Sequence, residues 1–226
     1  CELKLHIRIP MDAWRQWIRH RTANVNEYST RYSIAIDSMQ ETSPKEWRYQ
    51  SVGNRQGSSG YLDETLGEYF SKQEKELQDK IFSVYNERID KGVAREQARK
   101  DLPLSTYTEA YWKVDLHNLL HFLALRMDSH AQLEIREYAT TIGENIVSKW
   151  CPIAWEAFMD YNFHSKHLSR LEQEIIKLIN TSSKEEVITK MVEFGLLNSD
   201  ISVPKKSRER DELEEKLEEL GIQKVW

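Results

Sequence analysis

Residues 105–126 read STYTEAYWKVDLHNLLHFLALR, and they contain the two patterns that decide the fold class. STYTEAYWKV, at the start of the stretch, is rich in β-branched and aromatic residues, which favour a strand. DLHNLLHFLALR, at its end, has a nearly all-apolar face at helical spacing, which predicts a helix packed into a core. A strand that leads directly into such a helix indicates a mixed α/β protein.

The flanking sequence extends this pattern in both directions. ELKLHIRIP (residues 2–9 and Pro10) alternates apolar and polar residues with a period of two, which predicts a strand closed by proline. Helices are predicted over 11–19, 61–91 with Gly92 at its end, 94–102, 115–126, 131–149 and 152–163, whereas residues 38–60 are loop-like. We therefore predict an α/β (α+β) fold, with a mostly antiparallel sheet flanked by helices.

The character of the chain changes at residue 164. SRLEQEIIKLIN and RERDELEEKLEEL are charged amphipathic helices, and Leu213, Leu217 and Leu220 form one stripe. Such a stripe is typical of a packing or oligomerisation helix. We predict a catalytic or binding domain over residues 1–163 and a charged helical C-terminal extension over 164–226. Because the sequence opens within a strand, we expect that the N-terminal part of the domain is missing.

Composition limits the functional classes. The chain has 226 residues, of which 39% are hydrophobic and 31% charged, and its formal net charge is −5. This balance argues against a nucleic-acid-binding protein and against a disordered chain. The apolar runs fall short of the roughly 20 residues that span a bilayer. The two cysteines, Cys1 and Cys151, favour a reducing, cytoplasmic setting, and Cys151, among aromatic residues, is predicted to be a buried structural thiol.

RHRTANVNEYSTRY, residues 19–32, concentrates cations and small polar residues. Guanidinium groups bind phosphate through paired hydrogen bonds, so this stretch predicts an anion pocket, although arginines at a helix end also satisfy carbonyl groups. Arg99 and Arg126 either extend along apolar surface into solvent or join such a pocket. A nucleophilic role for Ser29 is weakly supported, because the G-x-S-x-G turn is absent.

Metal and nucleotide motifs are weak in this sequence. His117 and His121 stand four apart on a helix, but Asn118 occupies the position where zinc enzymes carry a glutamate, so no metal site is predicted. Glycine-rich nucleotide loops are also absent.

Three ordered blocks resemble one known family. Arg-His-Arg, seven residues, then Ser29, with Asn26-Glu27 before it and Arg31-Tyr32 after it, is similar to the signature of the flavin-dependent thymidylate synthases. ALRMDSHAQLEIREYA (124–139) resembles that family's Leu-Arg-x-x-x-His-Ala-Gln-x-Glu-Ile segment, and RQWIRHR and LPLSTYTEAYWKVDLHNLLHFL match in order and spacing. The resemblance covers roughly residues 1–163.

The resemblance implies an enzyme that methylates dUMP to dTMP. Methylenetetrahydrofolate supplies the carbon, FAD reduced by NADPH supplies the hydride, and an enzyme cysteine nucleophile is not used. It also implies a homotetramer whose active sites are shared between subunits. Arg126 and Ser29 match catalytic-site positions, Arg126 as the residue that favours an ionised uracil ring. Ser29 matches a residue that holds or orients the base.

The same resemblance implies two sets of binding residues. The positions matched to dUMP contacts are Gln16, Trp17, Ile18, Arg19, Glu27, Tyr28, Ser29, Thr30, Arg31, Arg99 and Arg126. The positions matched to FAD contacts are Arg19, His20, Arg21, Glu27, Asp115, Leu116, His117 and His121. Two departures stand out, because Asp115 replaces an asparagine common in relatives and Thr30 replaces a glycine found in some of them.

Two other functional classes stay open at this point. A non-catalytic nucleotide-binding or scaffold relative that has lost flavin binding would keep the dUMP residues. RNA binding through the arginine-rich stretch is disfavoured by the negative net charge.

Overall fold

The computed structural model describes residues 1–29, 38–51, 57–200, 203 and 205–226. These residues form two compact units, Cys1–Phe163 and His164–Trp226, and each is considered by itself. The strands are β1 Glu2–Pro10, β2 Asn24–Glu27, β3 Arg48–Gln50, β4 Ser58–Tyr61 and β5 Tyr107–Asp115. The helices of the first unit are α1 Met11–Trp17, α2 Glu64–Asp90, α3 Arg95–Ala98, α4 Leu116–Arg126, α5 Leu133–Ile142, α6 Ser148–Trp150 and α7 Pro152–Phe158. The second unit contains α8 Arg170–Thr181, α9 Lys184–Glu193 and α10 Arg208–Glu219.

The main sheet of the first unit has three strands in the order β1-β5-β2. β1 lies antiparallel to β5 from Glu2 opposite Asp115 to Pro10 opposite Tyr107. β2 lies antiparallel to the other side of β5, and β3 and β4 form a separate antiparallel hairpin. The predicted α/β class, with a mostly antiparallel sheet and helices, is therefore confirmed.

The core forms where α1, α4 and α5 pack on one face of this sheet. Ile7 and Ile9 of β1 and Trp112 of β5 are buried, as the period-two pattern predicts. Trp17 of α1 is fully buried, and its ring lies 5.3 Å from that of Trp112 and 4.7 Å from that of Phe122. This aromatic cluster packs the end of α1 against α4.

The passage from β5 to α4 takes place at a single residue. Asp115 ends the strand and caps the helix, because its carboxylate accepts hydrogen bonds from the Asn118 backbone N–H at 3.0 Å and from the Asn118 side chain at 2.6 Å. These bonds lower the pKa of the Asp115 carboxyl. A charged cap at a helix N-terminus is favourable, since it meets unpaired backbone donors and the positive end of the helix dipole.

The long helix α2 ends as the sequence predicts. Gly92 follows it with φ of +76°, a left-handed conformation that glycine adopts at little cost. The segment 38–51 is tied to this helix by several hydrogen bonds, among them Trp47 Nε1 to Ser71 Oγ at 3.0 Å and Gln78 Nε2 to the Gln40 carbonyl at 2.9 Å.

Three local predictions need correction. Residues 24–27 form an edge strand, although their polar sequence predicts an irregular segment. All four residues are exposed, so the sequence does not alternate between apolar and polar residues as a half-buried strand does. Part of the predicted loop 38–60 forms the β3–β4 hairpin, whose strands are too short and polar to show a period. The helix predicted over 131–149 begins at Leu133 and is interrupted by a π-helical turn, Gly143–Val147.

The second unit has a core of its own. α8, α9 and α10 each begin at a serine whose side chain accepts a backbone hydrogen bond: Ser169, Ser183 and Ser207. Leu213 and Leu217 are buried with Ile175 and Met191, whereas Leu220 is 47% exposed. Two of the three leucines of the stripe, Leu213 and Leu217, therefore pack within their own unit. In the described ranges, no helix is both long enough and apolar enough to cross a membrane.

Candidate active site

Arg126 lies at the end of α4, where its guanidinium meets the end of α1. Its Nη2 donates to the Gln16 carbonyl oxygen at 3.1 Å, and the side chain is partly buried. Burial lowers the pKa of Arg126, because the surroundings solvate its charge less well than water does. An arginine stays protonated at neutral pH even so. The site therefore contains a partly desolvated cation in a fixed place.

Gln16 is held by a residue that the sequence did not single out. Its side-chain amide donates to Gln132 Oε1, and Gln132 in turn donates to Asp12 Oδ2 at 3.4 Å. Gln132 stands between His130 and Glu134 in the second sequence block, so its position in that block was the available signal. The contact joins the segment RQWIRHR (15–21) to the second block, ALRMDSHAQLEIREYA, across more than a hundred residues of the chain.

His20 packs beside the same helix. Its ring lies 5.5 Å from Phe122 and 5.7 Å from His121, and Thr22 Oγ1 is 3.1 Å from His20 Nε2. Burial lowers the pKa of His20, and nearby His121 and Arg126 lower it further, against the opposing effects of a hydrogen bond at the Asn118 backbone and of Asp115. The lowered pKa favours the neutral imidazole of His20, which has one nitrogen to donate and one to accept.

A second group of predicted residues lines a cavity of about 720 Å³ beside β2 and the short helical segment 95–101. Glu27, Tyr28, Ser29 and Arg99 all lie in its wall. Arg15 and Lys100 add positive charge to the wall and Glu96 adds a carboxylate. Among the residues that the structure describes, the rest of the lining consists of Met11, Leu102, Pro103, Leu104, Thr106, Tyr107 and Thr108.

Pairing of the strands positions the Glu27 side of this cavity. Glu27 Oε1 accepts a hydrogen bond from Thr108 Oγ1 at 2.9 Å, and the Tyr28 N–H donates to the Glu109 carbonyl at 2.8 Å. The edge strand β2 thus carries Glu27, Tyr28 and Ser29 along β5 to the cavity. The cavity has the size, the mixed polarity and the cations that a small anionic ligand requires.

The structure brings the predicted residues together in two groups. Glu27, Tyr28, Ser29 and Arg99 share the cavity, whereas Gln16, His20, His121 and Arg126 cluster at the α1–α4 junction, outside the lining of that cavity as far as the described residues show. The Trp17 side chain is fully buried in the core, so a ligand can reach only its backbone.

The other predicted contact residues differ in exposure. Ile18, Arg19, Arg21 and His117 are exposed, and Leu116 is partly buried. Thr30 and Arg31 lie outside the described residues.

The possible metal ligands and the cysteines are the remaining candidates from the sequence. Over the residues that the structure describes, no group of three or more His, Cys, Asp and Glu side chains is arranged to hold a metal ion. Cys151 is only partly buried, and its Sγ lies 3.9 Å from that of Cys1. The prediction of a buried thiol is therefore wrong, because the aromatic residues near Cys151 in sequence leave its side chain accessible.

Comparison with known proteins explains why these groups occur together. A family model described as thymidylate synthase complementing protein matches residues 1–153. A flavin-dependent thymidylate synthase of Dictyostelium discoideum is 49% identical over 189 residues, which are 82% of this chain and 62% of that protein. A flavin-dependent thymidylate synthase of Wolbachia pipientis wMel is 46% identical over 203 residues, 88% of this chain and 71% of that one.

The chain belongs to the flavin-dependent thymidylate synthase family. The family predicted from the three sequence blocks is thereby confirmed. The chain spans 62% of the length of the Dictyostelium family member. A crystal structure of a UMP/dUMP methylase, PolB from Streptomyces cacaoi bound with 5-Br UMP, is similar to it with a TM-score of 0.67 and 27% identity, covering 73% of this chain and 76% of that one.

Proposed function

We propose that this protein catalyses the reductive methylation of dUMP to dTMP. In the overall reaction, dUMP, methylenetetrahydrofolate, NADPH and a proton give dTMP, tetrahydrofolate and NADP⁺. The methylene carbon replaces the hydrogen on the pyrimidine carbon, and NADPH supplies the two electrons that convert the methylene to a methyl group. The reaction needs no enzyme cysteine nucleophile and is proposed to take place in the cytoplasm.

The observation that carries this proposal is the environment of Arg126. A guanidinium that is fixed on the Gln16 carbonyl and partly buried stabilises negative charge with little reorganisation, because its position is set before the charge develops. Methylation at the pyrimidine carbon requires electron density in the ring, and an ionised uracil ring supplies it. We assign Arg126 to stabilising that anion.

The cavity beside β2 is proposed to hold the rest of dUMP. Arg99 is suited to the phosphate, because arginine pairs with phosphate through two parallel hydrogen bonds. Glu27 and Ser29 offer a carboxylate and a hydroxyl for the sugar and base, and Tyr28, Gln16, Trp17, Ile18 and Arg19 provide further contacts. Thr30 and Arg31 follow directly in sequence and are proposed to extend this set.

The residues at the start of α4 and the end of α1 fit a flavin dinucleotide. Arg19 and Arg21 are exposed guanidinium groups suited to a pyrophosphate, and His20 offers a neutral ring beside His121. Asp115, Leu116 and His117 begin α4, and Glu27 completes the proposed FAD set. Bound FAD would supply the transfer of reducing equivalents from NADPH, while this chain's residues bind and orient the reactants.

We further propose a homotetramer with shared active sites. The grouping of Arg99 with Ser29, apart from Arg126 and His20, supports this, since a second subunit would complete each site. In this proposal residues 1–163 form the catalytic domain and residues 164–226 brace the assembly.

Removing residues 164–226 is expected to reduce the number of subunits in the oligomer, which size exclusion with light scattering measures. An unchanged tetramer would contradict the bracing role.

Ser29 gives a test of the serine's role. Ser29→Ala is expected to raise the Kd for dUMP by about tenfold, the equivalent of one hydrogen bond of ordinary strength, and to leave measurable turnover. Isothermal titration with dUMP and a product assay check this. Retained dUMP binding with complete loss of turnover would instead support a nucleophilic serine.

The competing function is a non-catalytic nucleotide-binding or scaffold protein without flavin. A visible absorption spectrum separates the two. We expect the full chain, purified or reconstituted with FAD, to retain the yellow flavin bands after gel filtration. Colourless protein that still binds dUMP would favour the scaffold function. If the protein bound RNA through phosphate contacts, its affinity for RNA would fall steeply as the salt concentration rises. Competition between RNA and dUMP at several salt concentrations measures this.

A further inference from the structure

The only two cysteines of the sequence lie side by side in the structure. Cys1 and Cys151 are 150 positions apart in the chain, and their Sγ atoms are 3.9 Å apart. Cys1 is exposed and Cys151 is partly buried. The two sulfurs are therefore within contact of each other, and Cys151 is partly accessible from solvent.

The backbone at both cysteines is held in place. The Cys1 carbonyl accepts a hydrogen bond from the Leu116 N–H, at the start of α4, at 3.0 Å. At the α6–α7 junction the Cys151 N–H donates to the Val147 carbonyl at 2.8 Å, and the Cys151 carbonyl accepts from the Trp155 N–H at 2.9 Å. With both backbones anchored, the sulfurs have to move from 3.9 Å apart to a bond length of about 2.05 Å for a disulfide to form.

Packing and metal binding are two simpler explanations of the cysteine pair, and each accounts for fewer of its features. A pair of thiols placed only for packing would be buried, because free cysteine behaves as a small apolar residue. A metal site needs further ligands, and within the described ranges no group of three His, Cys, Asp or Glu side chains forms here. Neither explanation accounts for a second sulfur within 3.9 Å of the partly exposed Cys151.

We propose that Cys1 and Cys151 form a reversible disulfide, a redox modification site that is separate from the dUMP chemistry. Hydrogen peroxide transfers one oxygen to the Cys1 thiolate, which becomes a sulfenic acid, while the other peroxide oxygen takes up a proton and leaves as water. The Cys151 thiolate then attacks the sulfenic sulfur, the S–S bond forms, and a second water leaves. The two thiols lose two electrons and two protons in total, and the peroxide gains them. A dithiol such as reduced thioredoxin returns both sulfurs to thiols.

The bond would join elements that support the proposed active site. Cys1 directly precedes the strand β1, and its carbonyl contacts the first residue of α4, the helix that carries His121 and Arg126. Cys151 ends α6 and caps α7. A cross-link across 150 residues restricts the unfolded chain strongly, so the oxidised form is more stable than the reduced form. Oxidation thus strengthens the frame around the start of α4.

Incubation of the full chain with oxidised glutathione, followed by thiol titration and intact mass, tests the proposal. We expect both thiols to be lost, the mass to fall by two hydrogen atoms, and digestion to yield one peptide pair linked through Cys1 and Cys151. The midpoint of thermal unfolding should rise by about 5–10 °C and return on reduction. Dilution of the protein before oxidation should not change the yield, because the bond forms within one chain.

Cys1→Ser and Cys151→Ser are the matched controls. Each should take up one glutathione at its remaining thiol, form no internal link and show no rise in the unfolding midpoint. Separate glutathione adducts on both cysteines of the unmodified chain, unreacted thiols, or links only between chains would overturn the proposal. So would an internal link without thermal stabilisation. None of these readouts depends on dUMP methylation.

Discussion

Replacement of Arg126 by alanine is expected to lower kcat for dTMP formation by at least about a hundredfold, a typical effect of removing one preorganised group that stabilises an anion. Arg126 donates to the Gln16 carbonyl and is partly buried, so its charge is already in place when negative charge develops in the substrate. Arg126→Lys should recover only part of the rate, because lysine keeps the charge but lacks the planar fork. Single-turnover assays with saturating dUMP measure the effect.

Arg136→Ala is the matched control for this prediction. Arg136 is also a partly buried arginine, and its Nη1 donates to a backbone carbonyl, that of Ser129, at 2.8 Å. It lies outside both groups of proposed site residues. We expect kcat close to that of the unmodified chain for Arg136→Ala. Equal rates for Arg126→Ala and Arg136→Ala, with flavin bound in both, would contradict the role assigned to Arg126.

Replacement of Trp17 by alanine is expected to lower the free energy of unfolding by about 3–5 kcal/mol, the usual cost of removing a large aromatic side chain from a core. The Trp17 ring is fully buried and packs against Phe122, Trp112 and Tyr138 at centroid distances of 4.7, 5.3 and 6.1 Å. Its loss leaves a cavity between the end of α1 and α4, so flavin binding near His20 should weaken as well.

Denaturant unfolding followed by tryptophan fluorescence measures this cost. The method reports mainly on the first unit, since six of the seven tryptophans lie within Cys1–Phe163. Tyr161→Ala is the control, because Tyr161 is an aromatic residue of the same unit with 83% exposure, and exposed substitutions usually change stability by less than about 0.5 kcal/mol. Similar losses for the two variants would show that the Trp17 cluster is not the centre of this core.

Elements that bury one face were predictable from the sequence. The sequence of β1 alternates because Ile7 and Ile9 face the helices. β5 and α4 contribute residues to the same core, so the period of two of the strands and the helical period of α4 are visible in the sequence. β2, β3 and β4 were not predicted as strands. Their residues are mostly exposed and polar, and pairing with a distant partner, which the sequence does not reveal, makes them strands.

The candidate site divides in the same way. Local motifs identified Arg126, His20 and Ser29, because their types and spacing resemble a family signature. The second block contains Gln132, but local patterns do not reveal that Gln132 contacts Gln16 or that Cys1 lies beside Cys151, because both contacts form across more than a hundred positions. The leucines of α10 show the converse. Their stripe was visible, but the sequence did not reveal that Leu213 and Leu217 pack within their own unit.

We propose above all that this family member methylates dUMP with a flavin and a folate. The most direct test of this claim is a product assay in which the full chain, reconstituted with FAD, is supplied with dUMP, methylenetetrahydrofolate and NADPH, and dTMP is quantified by mass spectrometry. We predict dTMP and tetrahydrofolate in equal amounts, with no dTMP when FAD, NADPH or the folate is left out. Flavin-loaded protein that binds dUMP but forms no dTMP would contradict the claim.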